Sequence, residues 1–201
     1  MEKTVEKYVN LYGKMLEEYH FSDVEEKKKS YGKRLSDMYA SDIYKKHNVY
    51  PSMDVQYIYA IIAMCLELQE HGLSYQEIID HVNAAFKKRK AFFTVLLKTI
   101  DLLPNAYKIA EKWNISDHDK RAKDGSITYD VFNVLDGKIE YDISRCMYAE
   151  MFEYYGIRPL CKIFCLTDVT SYAALQRHVK FIRHSDLSDG GSCHDEVIRR
   201  G

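Results

Sequence analysis

The sequence contains few of the residues that break a chain or cross-link it. Its 201 residues include 3 prolines, 9 glycines and 5 cysteines. Hydrophobic residues make up 46% of the chain, which is enough to form one sizeable core. The length of the chain is too short to favour two domains. An odd number of cysteines does not suit a disulfide framework. In a reducing compartment such thiols stay available for burial, metal binding or catalysis.

Neither sign of charge predominates. The 29 basic and 30 acidic residues are interspersed and give a formal net charge of -1. The chain therefore lacks the basic stripe that neutralises phosphates, and we expect no nucleic-acid partner. No run reaches the roughly 18 apolar residues of a membrane span, and residues 1–20 form a charged amphipathic segment without an apolar signal core. We therefore expect a cytoplasmic protein without a membrane partner.

Common catalytic motifs are also missing. The chain has no GxSxG elbow, P-loop, GxGxxG or HExxH, which argues against the usual serine hydrolases, NTPases, dinucleotide enzymes and zincins. It also has neither the Cys-x-x-Cys spacing of a structural zinc site nor a His-x-x-x-His motif. We therefore expect no metal ligands and no cofactor.

Apolar residues recur at helical spacing up to about residue 113. Residues 54–71 are apolar nearly all round, which predicts a helix through the middle of a helical layer. Gly72 is expected to end that helix in a left-handed conformation. Two capping boxes, each a serine followed three places later by a glutamate, are expected to begin helices: Ser22 with Glu25 and Ser74 with Glu77.

The pattern changes after Trp113. A polar stretch leads into two alternating β-rich runs, 127–134 and 138–144, separated by Asp136-Gly137, which is a strong hairpin signal. Helical spacing returns over about 147–175, and two further strands are predicted at 178–184 and 193–199. This order predicts an α+β fold, in which an N-terminal helical layer packs with a small antiparallel sheet of about four strands.

We interpret the chain as a single domain, 1–201. Its helical part would cover 1–113, and its α+β part would cover 114–201.

The C-terminal segment Cys193-His194-Asp195 places three reactive groups side by side. Alternate side chains of a strand share a face, so Cys193 and Asp195 would point one way and His194 the other. The thiol and the carboxylate could line a pocket together, although a buried thiol beside an edge carboxylate is the plainer interpretation. His178 and His184 are predicted to share a face of the neighbouring strand. They could act as acid or base groups in the pocket, or they could simply be exposed residues at the ends of the strand.

Cys146 follows a predicted strand and opens a predicted helix. There the helix dipole and free N–H groups would lower the pKa of its thiol. The alternative is that Cys146 merely packs in the core. Cys161 and Cys165 lie one helical turn apart, with Asp168 on the same face. This face could line a pocket or, alternatively, hold a metal. Cys65 lies in the most apolar helix and is predicted to be a core residue.

Three segments in this order resemble the L-2-amino-thiazoline-4-carboxylic acid hydrolase family. The segments are Arg145-Cys146-Met147-Tyr148-Ala149-Glu150, Cys165-Leu166-Thr167-Asp168 and Gly191-Ser192-Cys193-His194-Asp195. The resemblance is specific over about residues 127–199. Before residue 127 it is limited to the general arrangement of the helices. The chain departs from the family pattern after Asp195, where an aromatic residue is usual and Glu196, Val197 and Ile198 stand instead.

The resemblance implies a hydrolase of carbon–nitrogen bonds other than peptide bonds, with a small molecule as substrate. Water would add to the amidine-like carbon of a 2-amino-thiazoline ring, which opens to N-carbamoyl-cysteine. The catalytic groups would be thiols and carboxyl groups, with either Cys146 or Cys193 as the nucleophile. The expected catalytic residues are Cys146, Cys193, Asp168, Asp195 and Cys165.

The same resemblance suggests groups that bind the substrate. Arg145 would pair with the substrate carboxylate, and Tyr148 and His194 would also contact the substrate. If three thiols and a carboxylate converge, they could alternatively hold a metal that activates water.

Two other functions stay open. The altered residues after Asp195 would suit a non-catalytic sensor module that binds a small molecule or a metal. The charged segment 25–46 would suit a helical interaction protein.

Overall fold

The computed structural model describes residues 2–200, and it describes their side chains except at 52–53 and 87–90. The chain forms two compact units, Met1–Lys88 and Arg89–Gly201. That the two units act as one domain stays a prediction. No helix of the described residues combines the length and the hydrophobicity that crossing a bilayer requires.

The first unit is helical. Its elements are α1 (Glu2–Glu18), α2 (Val24–Ala40), α3 (Asp42–His47), α4 (Ser52–Glu70) and the beginning of α5 (Tyr75–Ile100). Ile58, Tyr59 and Ile62 of α4 are fully buried, and α4 packs against α1 and α2. The prediction of an apolar helix through the middle of the helical layer is therefore confirmed.

One of the two predicted capping boxes forms. The Ser74 backbone N–H donates to Glu77 Oε2 at 2.8 Å, and the Glu77 N–H donates to Ser74 Oγ at 3.4 Å. Gly72 adopts the predicted left-handed conformation with φ 83°. The box at Ser22 was predicted wrongly, because the N-cap of α2 is Asp23, with a left-handed φ of 54° and no side-chain cap. Glu25 instead pairs with Lys28 at 2.7 Å.

The second unit combines helices with a sheet. After α5 its main elements are α6 (Ala106–Asp124), β1 (Ile127–Leu135), β2 (Lys138–Cys146), α7 (Met147–Tyr154), a 3-10 helix (Arg158–Cys161), α8 (Lys162–Tyr172), β3 (Val179–Ser185) and β4 (Cys193–Arg199). The polar stretch after Trp113, which was expected to lie outside the helical part, belongs to α6. Polar residues give no apolar periodicity, yet exposed side chains such as Asp117, Asp119 and Lys120 fit the solvent-facing side of a helix.

The sheet is antiparallel with the strand order β1-β2-β4-β3, which confirms the predicted α+β fold. Gly137 turns the β1–β2 hairpin with φ 75°. One face of the sheet buries Ile139, Tyr141 and Val197 against helical residues that include Leu97. The sheet therefore has one face in the core and one face that is largely accessible.

Candidate active site

Strand β4 presents alternate residues to the two faces of the sheet, as predicted. Cys193, Asp195 and Val197 are 4%, 0% and 0% exposed, whereas His194 and Glu196 are partly exposed. Register places Asp195 opposite Tyr141 of β2 and opposite Arg183 of β3. Cys193 and Asp195 therefore belong to the buried side of the sheet.

Arg183 connects strand β4 to helix α8. Its Nε and Nη2 donate to the two carboxylate oxygens of Asp195 at 2.9 and 2.6 Å. Its Nη2 also donates to Asp168 Oδ2 at 3.0 Å, and its Nη1 donates to the Cys165 carbonyl oxygen at 2.5 Å. A fully buried carboxylate requires such a partner, because an unpaired charge away from water is costly.

Sequence reasoning missed Arg183, although a signal for it exists. Val179, Phe181 and Arg183 occupy alternate positions of β3, so the arginine faces the same side as two apolar residues. A cation on an apolar face needs a buried anion, and Asp195 is the acidic residue on the matching face of β4. Strand alternation together with the opposite charges of the two side chains could therefore have predicted the Arg183–Asp195 pair from the sequence.

Helix α8 brings Cys165 close to Cys161 at its start. The Cys161 thiol hydrogen-bonds the Cys165 sulfur, which lowers the pKa of Cys165 and raises that of Cys161. Burial opposes the lowering at Cys165, and the positive charge of Arg183 assists it. Cys165 is therefore the member of the pair that is poised to ionise.

Asp168 lies one helical turn after Cys165. Its side chain is 54% exposed, yet desolvation by the surrounding protein raises its pKa, and the nearby Arg183 only partly offsets this. At a given pH, Asp168 holds a proton more readily than an ordinary aspartate does.

Cys146 is the N-cap of α7, as predicted from its place between a strand and a helix. Its side chain makes no capping hydrogen bond, although the nearby backbone N–H groups of Tyr148 and Ala149 act to lower its pKa. The prediction of a lowered pKa is nevertheless wrong, because burial raises the pKa of Cys146 to about 11 and outweighs the two donors. Cys146 is therefore a neutral thiol near neutral pH.

Cys193 and Cys65 are buried thiols. Burial is the main cause that raises the pKa of Cys193, and the adjacent Asp195 adds to it by charge and by a hydrogen bond. Burial also raises the pKa of Cys65, in line with its prediction as a core residue. Neither environment favours a thiolate.

The predicted catalytic residues belong to one electrostatic network within the second unit. Cys165 and Asp168 both act on the pKa of Cys146. Cys165 also acts on Cys193, and Asp195 acts on Asp168. Residues from β2, α8 and β4 are thereby brought together, although up to 49 positions separate them in sequence, from Cys146 to Asp195.

Two of the predicted substrate-binding residues lie beside this network and have protein partners. Arg145 donates through Nε and Nη2 to both oxygens of Glu150, each at 2.6 Å, and through Nη1 to the Gly125 carbonyl at 2.7 Å. The Tyr148 ring packs on Phe164 with centroids 4.6 Å apart. Their contact with a substrate stays a prediction.

The predicted histidines lie elsewhere. His194 hydrogen-bonds Asp142 on the accessible face of the sheet, opposite to Cys193 and Asp195. His184 hydrogen-bonds Glu196 at 3.0 Å on that same face. Strand alternation therefore separates both imidazoles from the thiol network, and the substrate contact predicted for His194 would require a substrate on the accessible face.

The chain matches the model of the L-2-amino-thiazoline-4-carboxylic acid hydrolase family over residues 53–195. This range is more than half of the chain and includes the whole thiol and carboxylate network. The protein belongs to this family. Membership confirms the resemblance seen in the sequence and supports a hydrolase-like function. No curated protein and no solved structure matches the chain.

In this member of the hydrolase family, the residues after Asp195 that depart from the family pattern point away from the network or into the core. Glu196 faces the accessible side and pairs with Lys138 at 2.5 Å. Val197 is fully buried in the apolar core of the second unit. Neither of these two residues therefore takes a place among the thiols.

Proposed function

We propose that this protein hydrolyses a small non-peptide substrate of the 2-amino-thiazoline-4-carboxylate type, with Cys165 as nucleophile and Asp168 as proton donor. One observation carries the proposal. Of the five cysteines, all of which the structure describes, Cys165 is the one whose pKa is lowered, and Asp168, whose pKa is raised, follows it by one helical turn. A thiol that ionises more readily than usual and a carboxyl group that holds its proton more readily than usual suit the roles of nucleophile and proton donor.

The reaction would proceed in two steps. The Cys165 thiolate attacks the ring carbon that lies between the ring sulfur and the two nitrogens. The bond from that carbon to the ring sulfur breaks, the sulfur takes the proton of Asp168, and an isothiourea remains on Cys165. One water molecule then attacks the same carbon, one of its protons returns to Asp168 and the other goes to the former ring nitrogen. The bond to Cys165 breaks and releases N-carbamoyl-cysteine and the free thiolate.

Arg183 would act as a positioning residue in this scheme. Its hydrogen bonds to the Cys165 carbonyl, to Asp168 and to Asp195 hold the proposed nucleophile and acid against β4. Cys161 would stabilise the thiolate through its hydrogen bond to Cys165. Cys146 is the alternative nucleophile, since the backbone N–H groups of Tyr148 and Ala149 favour its thiolate, although its raised pKa disfavours it.

Kinetics with 2-amino-thiazoline-4-carboxylate test the proposal. We expect wild type to form N-carbamoyl-cysteine and C165S to lose at least about 10³-fold in kcat. C65A, which alters a buried thiol of the first unit, is the matched control and should retain activity. Turnover that is undiminished in C165S, C146S and C193S would exclude the thiol mechanism, and no turnover of this or related cyclic amidines by wild type would exclude the substrate class.

Trapping the intermediate distinguishes the two candidate nucleophiles. Acid quenching during turnover, followed by proteolysis and mass spectrometry, should find the isothiourea on the peptide that contains Cys165. The same added mass on the Cys146 peptide would assign the attack to Cys146 instead.

A further inference from the structure

The accessible face of the sheet carries a group of three potential metal ligands. His184 of β3 with His194 and Glu196 of β4 each offer one ligand atom, and these atoms lie within 4.8 Å of one another. Because residues 194 and 196 alternate with 193 and 195, this group lies on the other side of β4 from the proposed hydrolytic residues. Among the described residues it is the group with ligand spacing, and it contains no thiol.

We propose that His184, His194 and Glu196 bind a divalent transition-metal ion of the zinc class. Two imidazoles and one carboxylate form a donor set that suits such ions, with the remaining positions open to water. Donors bound at about 2.0–2.1 Å to a tetrahedral zinc ion are about 3.3 Å apart. His184 Nε2 and Glu196 Oε2 are already 3.0 Å apart, so modest side-chain movements would complete the site.

Asp142 supports the site from behind His194. It lies opposite His194 in the β2–β4 register and hydrogen-bonds its Nδ1. This bond fixes the ring and leaves Nε2 as the ligand atom, which is the carboxylate–histidine arrangement common behind metal ligands. Because Asp142 holds Nδ1, the His194 ring is oriented as a metal ligand would be, unlike an exposed histidine whose ring nitrogens have no protein partner.

The two oxygens of Glu196 have different partners. Oε2 faces His184, whereas Oε1 pairs with Lys138 at 2.5 Å. Lys138 also pairs with Glu140 at 2.7 Å, so a second carboxylate offsets its charge beside the site. Glu196 can therefore offer Oε2 to a cation while Lys138 holds the other oxygen.

The backbone of β3 is irregular at this point. Arg183 lies opposite Asp195 and Ser185 lies opposite His194. His184 is therefore an extra residue of β3 that has no paired residue in β4. An extra residue of this kind re-aims a side chain and is frequent beside functional sites. Here the irregularity lies between Arg183, whose side chain lies on the buried face of the sheet, and His184, whose side chain lies on the accessible face.

A bound ion would link β3 to β4. Strand β4 carries Cys193 and Asp195 on its other face, so the ion would stabilise the strand that holds the network without contacting it. The inference does not depend on the proposed hydrolysis, because it concerns different atoms on the opposite face.

Calorimetric titration of chelator-treated protein with Zn²⁺ tests the proposal. We expect one ion per chain, and binding at least tenfold weaker in both H184Q and H194Q. D142N should weaken binding by about 10–100-fold, as removal of a group that orients a ligand does. H178Q, a histidine just before β3 and outside the group, and the C146A/C165A double variant are the controls and should bind as wild type does.

Two further readouts check the ligands and the link between strands. Co²⁺ should bind without the sulfur-to-cobalt charge-transfer band that thiolate ligands produce. Zn²⁺ should raise the Tm of wild type but not that of H184Q. No binding by wild type, unchanged binding in both histidine variants, or loss of binding in C146A/C165A would overturn the proposal and would leave the hydrolase proposal untouched.

Discussion

Arg183 lies directly opposite Asp195 in the sheet, and its guanidinium donates to both carboxylate oxygens, at 2.9 and 2.6 Å. Asp195 is fully buried and the Arg183 side chain is 12% exposed. The same guanidinium reaches Asp168 and the Cys165 carbonyl. The position of helix α8 against the sheet therefore depends on a charge pair formed between two strands.

Breaking this pair should destabilise the protein strongly. We expect R183M to lower the free energy of unfolding by about 3–5 kcal/mol, because it leaves the buried Asp195 carboxylate without its partner. D195N should lower it by less, because Arg183 keeps its bond to Asp168. The double variant should lose much less than the sum. Urea unfolding of the four proteins measures this, with D168N as the control at the more exposed partner of Arg183. Additive losses would show that the two residues are not coupled.

Removing Cys161 should raise the pKa of Cys165. In the folded protein the hydrogen bond from Cys161 lowers that pKa against the effect of burial, so in C161A burial prevails and the thiolate forms only at higher pH. The rate of Cys165 alkylation against pH, followed by peptide mass spectrometry, should move to higher pH. C65A should leave the profile in place, and an unchanged profile in C161A would contradict the assigned cause.

Arg145 and Glu150 should behave as one structural pair. Both guanidinium contacts to Glu150 are 2.6 Å, and the two side chains are 37% and 45% exposed. We therefore expect E150Q to lower the free energy of unfolding by less than about 1 kcal/mol. R145Q should lower it somewhat more, because it also loses the bond to the Gly125 carbonyl, and the two variants should have similar KM values. A KM that rises in R145Q and stays unchanged in E150Q would instead assign Arg145 to the substrate carboxylate.

The β1–β2 hairpin should require glycine at position 137. Gly137 has φ 75°, and a Cβ there would lie 3.1 Å from the Arg199 side chain. G137A should therefore cost about 1–2 kcal/mol in the free energy of unfolding. G191A is the matched control, since Gly191 has open space and no left-handed φ. Equal stabilities of the two variants would show that the turn tolerates the strain.

Local patterns predicted the elements that local physics controls. The Asp136-Gly137 signal located the hairpin because few sequences suit that turn, and apolar alternation located the other two strands. The polar end of α6 was missed because an exposed helix carries no apolar periodicity. The box at Ser22 failed because Asp23 takes the left-handed conformation and becomes the N-cap itself.

The sequence by itself determined that Cys193 and Asp195 share a face that His194 does not, since side-chain alternation is a property of any strand. The sequence also contains the three segments that resemble the family, at residues 145–150, 165–168 and 191–195. Only the tertiary structure decided that Arg183 is the partner of Asp195, that Cys165 rather than Cys146 has the lowered pKa, and that His184 meets Glu196. These relationships depend on strand register and on burial, which arise when segments distant in sequence pack together.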